Sequence, residues 1–364
     1  VRDALLGHTP KDLDIATAAP PEVVEASFPQ TLAVGKAFGT IVVIEDSTNF
    51  EVTTFRREGP YKDGRHPDHV EFTDMKEDAG RRDFTVNAMF YDPISEQIFD
   101  FADGVRDLEK SVLRTVGRAE ERFQEDRLRM LRAARFVAQL GFVLDAHALK
   151  AIQAQHAAIA QVSAERVFNE MRRLLQSSHS AQGLKILRAS ELQNEVWPEI
   201  KNADLDRLGR FPHFAKWEAT FAAVHLLAGS SEVEPRLRAW KGPRESLRLV
   251  QSYMNGCKLL MNPESSRAAR VRVIGSPEFA EILGLAGGLL ESEAKIEAWI
   301  GEFLEVSDRK GSLPPPFLNG QDLIDLGVPP GERMGSLLKA LYDAQLEGDL
   351  QSREEALSRV KKSI

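Results

Sequence analysis

Two aspartates one residue apart, Asp12 and Asp14 in "KDLDIAT", and a glutamate, Glu51, inside the run "FEVTTF" are the side chains best suited to gather a divalent cation. If "DLDIAT" enters a strand, side chains alternate, so Asp12 and Asp14 share one face while Leu13 and Ile15 take the other. Two carboxylates then converge on one space. Mg²⁺ prefers such hard oxygen donors, and two ions about 3.5–4 Å apart hold both the attacking and the leaving oxygen of a phosphoryl transfer. A D-x-D triplet alone is more often a solvated turn. Glu51 strengthens the case, because a carboxylate in an apolar strand is costly to bury without a partner and a neighbouring metal site would supply one. The competing picture is an edge strand with Glu51 in water.

The elements that must position these groups are legible in outline. The chain has 364 residues, 43% hydrophobic and 28% charged, a globular composition long enough for roughly two to four compact units. Residues 1 to about 112 alternate short β-rich runs ("TIVVIE", "FEVTTF", "EQIFDF") with turns, which predicts an α/β or α+β unit. After Asp107 the strand pattern gives way to successive amphipathic helices. The first carries Met130, Ala133, Ala134 and Val137 at helical spacing and closes at Gly141. Ser163 is placed to cap "AERVFNEMRRLL", Trp197-Pro198 marks a break, and "RKGSLPPPFLNG" reads as a linker into a small helical unit with an apolar stripe of Met334, Leu337, Leu338 and Leu341.

Net charge is −8, so nucleic acid would have to be held by a local patch rather than by bulk electrostatics. One cysteine, Cys257, forms no internal disulfide and reads as a packed side chain, which fits a reducing compartment. There is no run of about 18 apolar residues and no signal-peptide core, and the expected location is the cytoplasm with no membrane partner. The eight histidines show neither H-E-x-x-H nor an adjacent His-Asp pair, so neither a zinc nor a phosphohydrolase site is expected.

Four blocks in order, "VRDALLGHTPKDLDIAT", "FEVTTFR" with "YKDGRHPDHVEF", "RRDFTVNAM" and "EDRLRMLRAARF", resemble the bacterial class II tRNA nucleotidyltransferases, relatives of bacterial poly(A) polymerase. "SAERVFNEM" resembles a fifth block, and "LNGQDLIDLGVPPGERMGSLLKAL" is similar to the tail of these enzymes. The resemblance implies an α+β fold: a small polymerase-beta-like head with a mixed β-sheet (1–112), then an all-α neck for nucleotide selection (113–185), a body (186–308) and a tRNA-binding tail (309–364). It also implies template-independent addition of C, C and A to the 3′ end of tRNA from CTP and ATP. By position, Asp12 and Asp14 would be Mg²⁺ ligands, with Glu51 a third carboxylate. Arg2 would touch nucleotide phosphate and Arg82 the nucleotide, while Asp126, Arg129, Arg132 and Arg135 would line the incoming nucleotide. The tRNA would be met at its 3′ end and acceptor arm, and no protein partner is implied. The family places two glycines just before the positions of Val1 and Arg2; the expectation is that they precede Val1 in a longer chain.

The selection step has a physical logic. A carboxylate and a guanidinium three residues apart on a helix are neighbours, so Asp126 and Arg129 present an acceptor beside donors. Cytosine and adenine offer an amino donor next to an unprotonated ring nitrogen; uracil and guanine offer the reverse. A wrong base leaves polar groups unpaired, and a bidentate contact discriminates by about 1–3 kcal/mol in the comparable case of duplex reading. On an ideal helix Arg135 is half a turn from Asp126 and suits phosphate better. The segment from Arg56 to Phe72 reads as a mobile loop, which in this family helps the switch from C to A addition. Gly327 and Gly331 could offer backbone N–H groups to RNA phosphate or simply break a helix. Rival activities are CC-only or A-only addition and poly(A) synthesis, and the non-enzymatic rival is an inactive tRNA-binding protein.

Overall fold

The computed structural model describes residues 1–10, 13–59, 69–290, 294–308 and 312–362. Among the described residues there are ten strands: β1 (Asp14–Thr17), β2 (Thr31–Leu32), β3 (Thr40–Glu45), β4 (Thr48–Thr54), β5 (Arg56–Glu58), β6 (Val70–Phe72), β7 (Met89–Asp92), β8 (Gln97–Asp100), β9 (Val112–Leu113) and β10 (Val143–Leu144). Helices α1 (Arg2–Leu5), α2 (Pro21–Ser27), α3 (Met75–Gly80) and α4 (Gly104–Glu109) belong to the strand-bearing part. They are followed by α5 (Ala119–Glu125), α6 (Leu128–Leu140), α7 (Ala146–Gln155), α8 (Ala164–Leu175), α9 (Ser180–Ala189) and α10 (Leu192–Val196). The remainder comprises α11 (Trp217–Leu227), α12 (Glu234–Ala239), α13 (Arg244–Met261), α14 (Arg267–Ile274), α15 (Phe279–Leu289), α16 (Ala294–Val306), α17 (Gly320–Asp325), α18 (Glu332–Glu347) and α19 (Arg353–Lys361). The α+β class is as expected, with one correction: strand pairing does not stop at Asp107, because β9 and β10 form a short parallel ladder beyond it.

The chain divides into two compact units, Val1–Leu205 with Pro235–Gly242, and Asp206–Glu234 with Pro243–Ile364. The first contains a mixed four-stranded sheet in the order β1-β4-β3-β2. β3 and β4 are joined through Asp46 and Ser47, both at positive φ (47° and 62°), the two-residue hairpin geometry whose twist suits the flanking strands. That turn fixes the β3–β4 register, and register decides which face each side chain takes. Val52 falls on the face packed with Val24 of α2, Ile41 and Val43; Glu51 falls on the other. β1 runs parallel to β4 at the edge, with Asp14 opposite Glu51 and Ala16 opposite Thr53. Further along the face that carries Asp14 and Glu51, Ala16 and Phe55 pack against Ala79, Ala88, Phe90 and Val116.

Helix α6 is central to the helices that follow β9 in the first unit. It is buried on most of its surface and ends at Gly141 in the left-handed region (φ 70°), the C-terminal stop read in the sequence. Its Phe136 ring meets Phe84 edge-on, centroids 5.5 Å apart. α8 begins after Ser163 as expected, but the Ser163 hydroxyl makes no capping bond; its carbonyl accepts from Arg166 and Val167 instead. The second unit packs α11, α13 and α15 together around buried Phe221, Tyr253 and Cys257, with Ser246 Oγ donating to the buried Glu218 (2.8 Å). Burial pushes the Cys257 thiol up to about 12, as befits a packed side chain. In the terminal helices, Met334 and Leu341 are buried with Leu337 and Leu338 packed against them, so the apolar stripe is core.

Gly104 is a close-approach position. A Cβ there would lie 2.3 Å from the backbone oxygen of Thr85 and 3.0 Å from Met89 Cγ. Gly104→Ala is therefore expected to destabilise the protein by about 1–3 kcal/mol through overpacking against backbone. A shift of the denaturant midpoint in that range at unchanged slope is the check; an unchanged midpoint contradicts the close approach.

Candidate functional site

The carboxylates come first. Asp14 and Glu51 are direct partners on neighbouring parallel strands, so their side chains leave the same face of the sheet with backbones about 4.8 Å apart. Both are exposed. The burial argument for Glu51 is thus overturned: the hairpin register turns it out of the apolar face, and its pairing with Asp14 is what marks it. Among the described residues neither carboxylate takes part in an ion pair, and no group of three metal-ligating side chains assembles. Asp12 lies outside the described residues. The donor set present, two adjacent exposed carboxylates, fits a hard divalent cation rather than a softer metal.

Beyond the carboxylates the same sheet face meets Phe90, whose ring stands edge-on to Phe55 with centroids 5.6 Å apart. The Arg82 guanidinium sits over Phe90, 4.4 Å from its centroid. Arg82 donates to Asp78 Oδ2 through Nε (3.3 Å) and Nη2 (3.2 Å) and to the Asn87 carbonyl through Nη1 (2.9 Å). Asp78, 1% exposed, also accepts from Arg81 (2.8 Å) and from the Arg56 backbone N–H (3.2 Å). The arginine dipeptide is thereby locked to α3 and to the base of the β5–β6 ribbon.

Next in chain order is Asp83, a group missed by the sequence reading. It is 7% exposed. Its Oδ1 accepts from the Phe84 backbone N–H (2.8 Å) and the Asn87 amide (3.0 Å), and its Oδ2 from Arg132 Nε (2.8 Å). Burial alone would raise its carboxyl pKa, but the Arg132 charge, the Asn87 and Arg132 hydrogen bonds and the Arg129 charge outweigh burial and hold it below the ordinary range. Arg132 loses by burial too, and the Asp83 charge keeps its pKa above the usual guanidinium value. The signal available in "RRDFTVNAM" is an acid directly before Phe84 and Val86, two apolar residues that are fully buried, so its carboxylate enters the interior with them and requires a partner.

Arg2 donates to Asn87 Oδ1 (2.5 Å) and lies 5.3 Å from the Phe136 centroid. Arg132 and Arg135 flank the same ring at 5.4 and 3.8 Å. Thus Arg2 and Arg132 join Arg82 at one short segment, 82–90, bringing three guanidinium groups together. Arg135 does not join them. It is 4% exposed and donates to Glu170 of α8 and to Gln139 Oε1 (2.6 Å), closed into the α6–α8 seam where burial lowers its pKa. A guanidinium held there serves packing.

Asp126 and Arg129 need a correction as well. Asp126 is not on the helix: α5 ends at Glu125, Asp126 is extended (φ −134°, ψ 108°), and α6 starts two residues later. Aspartate is favoured at such a joint because its carboxylate accepts from the first helical N–H groups, here that of Leu128 (3.0 Å). Its other oxygen accepts from Arg166 of α8 (2.8 Å). Arg129, in the first turn of α6, donates to Glu125 Oε2 (2.7 Å) and the Arg81 carbonyl (3.0 Å). The two groups flank the bend between α5 and α6, each oriented by its own partner. In the stretch expected as a loop, Arg56 pairs with Phe72 and Arg57 with Glu71 in an antiparallel ribbon, and residues 60–68 lie outside the described residues. Gly327 and Gly331 both take positive φ (86° and 152°), after α17 and before α18.

Comparison with known proteins gives a consistent picture. Residues 1–114 match the family described as "Poly A polymerase head domain", and 141–204 match "Probable RNA and SrmB- binding site of polymerase A". The chain is 34% identical to the CCA-adding enzyme of Pediococcus pentosaceus over 98% of its own length and 90% of that protein's. Among solved structures, the CCA-adding enzyme of Bacillus stearothermophilus in complex with CTP is 30% identical, with a TM-score of 0.81 over 100% of this chain and 91% of that one. The Thermotoga maritima CCA-adding enzyme complexed with tRNA shares the fold at 20% identity, with a TM-score of 0.69 over 100% and 89% of the two chains.

The depressed pKa of Asp83 makes stability pH-dependent. Its ionised form contributes fully above the unfolded carboxyl pKa of about 3.9 and is lost as pH falls through the lower folded value. Asp83→Asn should therefore be less stable than the wild type at pH 7, with the difference shrinking below about pH 3.9. Urea unfolding at both pH values is the check; a difference that grows on acidification contradicts the pairing.

Proposed function

Because the chain belongs to the family of CCA-adding enzymes, we propose that Asp14, Glu51 and Asp12 form its catalytic carboxylate set and that the bend between α5 and α6 reads the incoming base. The reaction is the addition of C, C and A to the 3′ end of tRNA from CTP and ATP, with release of pyrophosphate. The observation that supports the carboxylate assignment is the parallel pairing of Asp14 with Glu51, which sets two hard donors side by side on one exposed face of the sheet.

Nucleotidyltransferases of this kind work with divalent metal ions, and Mg²⁺ is the ion this donor set suits; Asp12 and Asp14 would be its ligands, with Glu51 beside them. Bound there, it would supply Lewis-acid stabilisation of the charge that develops on the α-phosphate and pyrophosphate. The rest falls to side chains of the chain itself. Arg2, Arg82 and Arg132 bind and orient the nucleotide's phosphates and sugar, and because Asn87, Asp78 and Asp83 already hold them, little reorganisation accompanies binding. Leu128 and Arg166 occupy two of the roughly four acceptor positions of the Asp126 carboxylate, leaving capacity for an exocyclic amino group. Arg129 supplies the donor for the unprotonated ring nitrogen. Arg135 acts at one remove by fixing α6 to α8.

A head at 1–112, neck at 113–185, body at 186–308 and tail at 309–364, the tail engaging tRNA, is the division we propose, with the cytoplasm as the working compartment. Among the described residues no helix is long and apolar enough to cross a membrane.

Asp14→Asn and Glu51→Gln are each expected to lower the rate of C addition by about 100-fold or more, with tRNA affinity within about twofold of the wild type. Sizing labelled tRNA that begins at each of three stages, after incubation with CTP or ATP, gives both the rates and the number of residues added. Wild-type rates from Asp14→Asn contradict the metal assignment, and UTP incorporated as readily as CTP contradicts the base reading.

A further inference from the structure

Asn87 is a half-buried amide whose two ends face opposite charges. Its Nδ2 donates to Asp83 Oδ1 (3.0 Å), and its Oδ1 accepts from Arg2 Nη1 (2.5 Å). Asp83 in turn accepts from Arg132 on α6 (2.8 Å), and the Asn87 backbone carbonyl accepts from Arg82 (2.9 Å). One residue therefore touches the side chains or guanidinium groups of two of the three arginines gathered at the site and reaches the third through one carboxylate. The polarity is directional: an amide satisfies a carboxylate at one end and a guanidinium at the other, and neither an aspartate nor an aliphatic side chain does both.

Asn87 is also held in place independently of these charges. Its N–H donates to the Phe84 carbonyl (2.9 Å), and the preceding Thr85 is fastened by its own N–H to the Arg114 carbonyl (2.9 Å) and by its hydroxyl to the buried Asp107. Gly104 packs directly on Thr85. The amide is thus mounted on a fixed turn, while Arg2 belongs to the four-residue helix α1, in which no residue is buried. Arg2 also donates through Nε to Asp3 Oδ1 (2.8 Å), but Asp3 lies on the same short helix and moves with it, so Asn87 is the contact that ties the Arg2 guanidinium to the fixed turn.

From this geometry we infer that Asn87 is a positioning residue that aims Arg2 at the nucleotide phosphates and sets its spacing from Arg132. The inference rests on the reading above in which Arg2 contacts the nucleotide. A contact made equally in the bound state and in the transition state raises KM when lost and leaves kcat unchanged. A hydrogen bond to a charged group is strong enough for its loss to weaken binding by about tenfold.

The test is a cycle of Arg2→Ala, Asn87→Ala and the double variant, reading KM and kcat for CTP with a fixed tRNA primer, alongside melting temperature and tRNA affinity. Each single variant is expected to raise KM for CTP by about tenfold with kcat within about twofold. The double variant should be no worse than Arg2→Ala alone, because Asn87 has nothing left to aim. Should Asn87→Ala fold poorly, Asn87→Ser is read in the same way. Arg2→Ala with an unchanged KM would show that the Arg2 assignment itself is wrong. Arg2→Ala with a raised KM, combined with an Asn87 variant that multiplies the effect or lowers only kcat or melting temperature, would overturn the positioning role alone.

Discussion

A buried carboxylate must find a positive partner, and in this chain Asp83 finds Arg132. That pair joins two parts of the sequence 49 residues apart: the segment 82–90, which leads into β7, and α6, a long helix further along the chain. Phe84 and Phe136 pack edge-on one residue and four residues beyond the two charges. The separation between the sheet carboxylates and the bend that carries Asp126 and Arg129 is set through this junction. A nucleotide that spans from one to the other needs that separation fixed, since catalysis by positioning loses steeply with small displacements.

Around the junction each cationic group is oriented by an acid or a carbonyl before any ligand arrives. Asp78 holds Arg81 and Arg82, Asp83 holds Arg132, Glu125 holds Arg129, and Glu170 holds Arg135. Asp14 and Glu51 contrast with these pairs: among the described residues they share one exposed sheet face without a counter-charge. Pre-oriented cations and a pair of carboxylates without counter-charge, both carried by the strand-bearing part and the helix packed on it, are the two charge patterns that a triphosphate and a divalent cation would each complete. Net charge of −8 is compatible with this because the cations are concentrated locally.

Much of this was legible in the amino-acid sequence, for identifiable reasons. The strands "TIVVIE" and "FEVTTF" follow from β-branched alternation, and α6 from the spacing of Met130, Ala133, Ala134 and Val137 with Gly141 as its stop. Register was not legible. It depends on the two-residue turn at Asp46-Ser47 and on long-range pairing with β1, so Glu51 was assigned to the site for burial when in fact it is exposed. The bend at Asp126 is not legible either, because helical spacing alone cannot show that the chain turns at one residue. Arg135 looked like a ligand contact because its partner, Glu170, lies 35 residues away. Asp83 and Asn87 escaped notice because their importance lies in whom they touch.

The most direct measurement is a crystal structure with a non-hydrolysable CTP analogue and a divalent cation. The junction predicts the α-phosphate and cation beside Asp14 and Glu51, with the cytosine amino group on Asp126, its ring nitrogen facing Arg129, and Asp83 still bound to Arg132. A nucleotide whose base turns away from the bend before α6, or whose phosphates lie away from the β1–β4 edge, would contradict it.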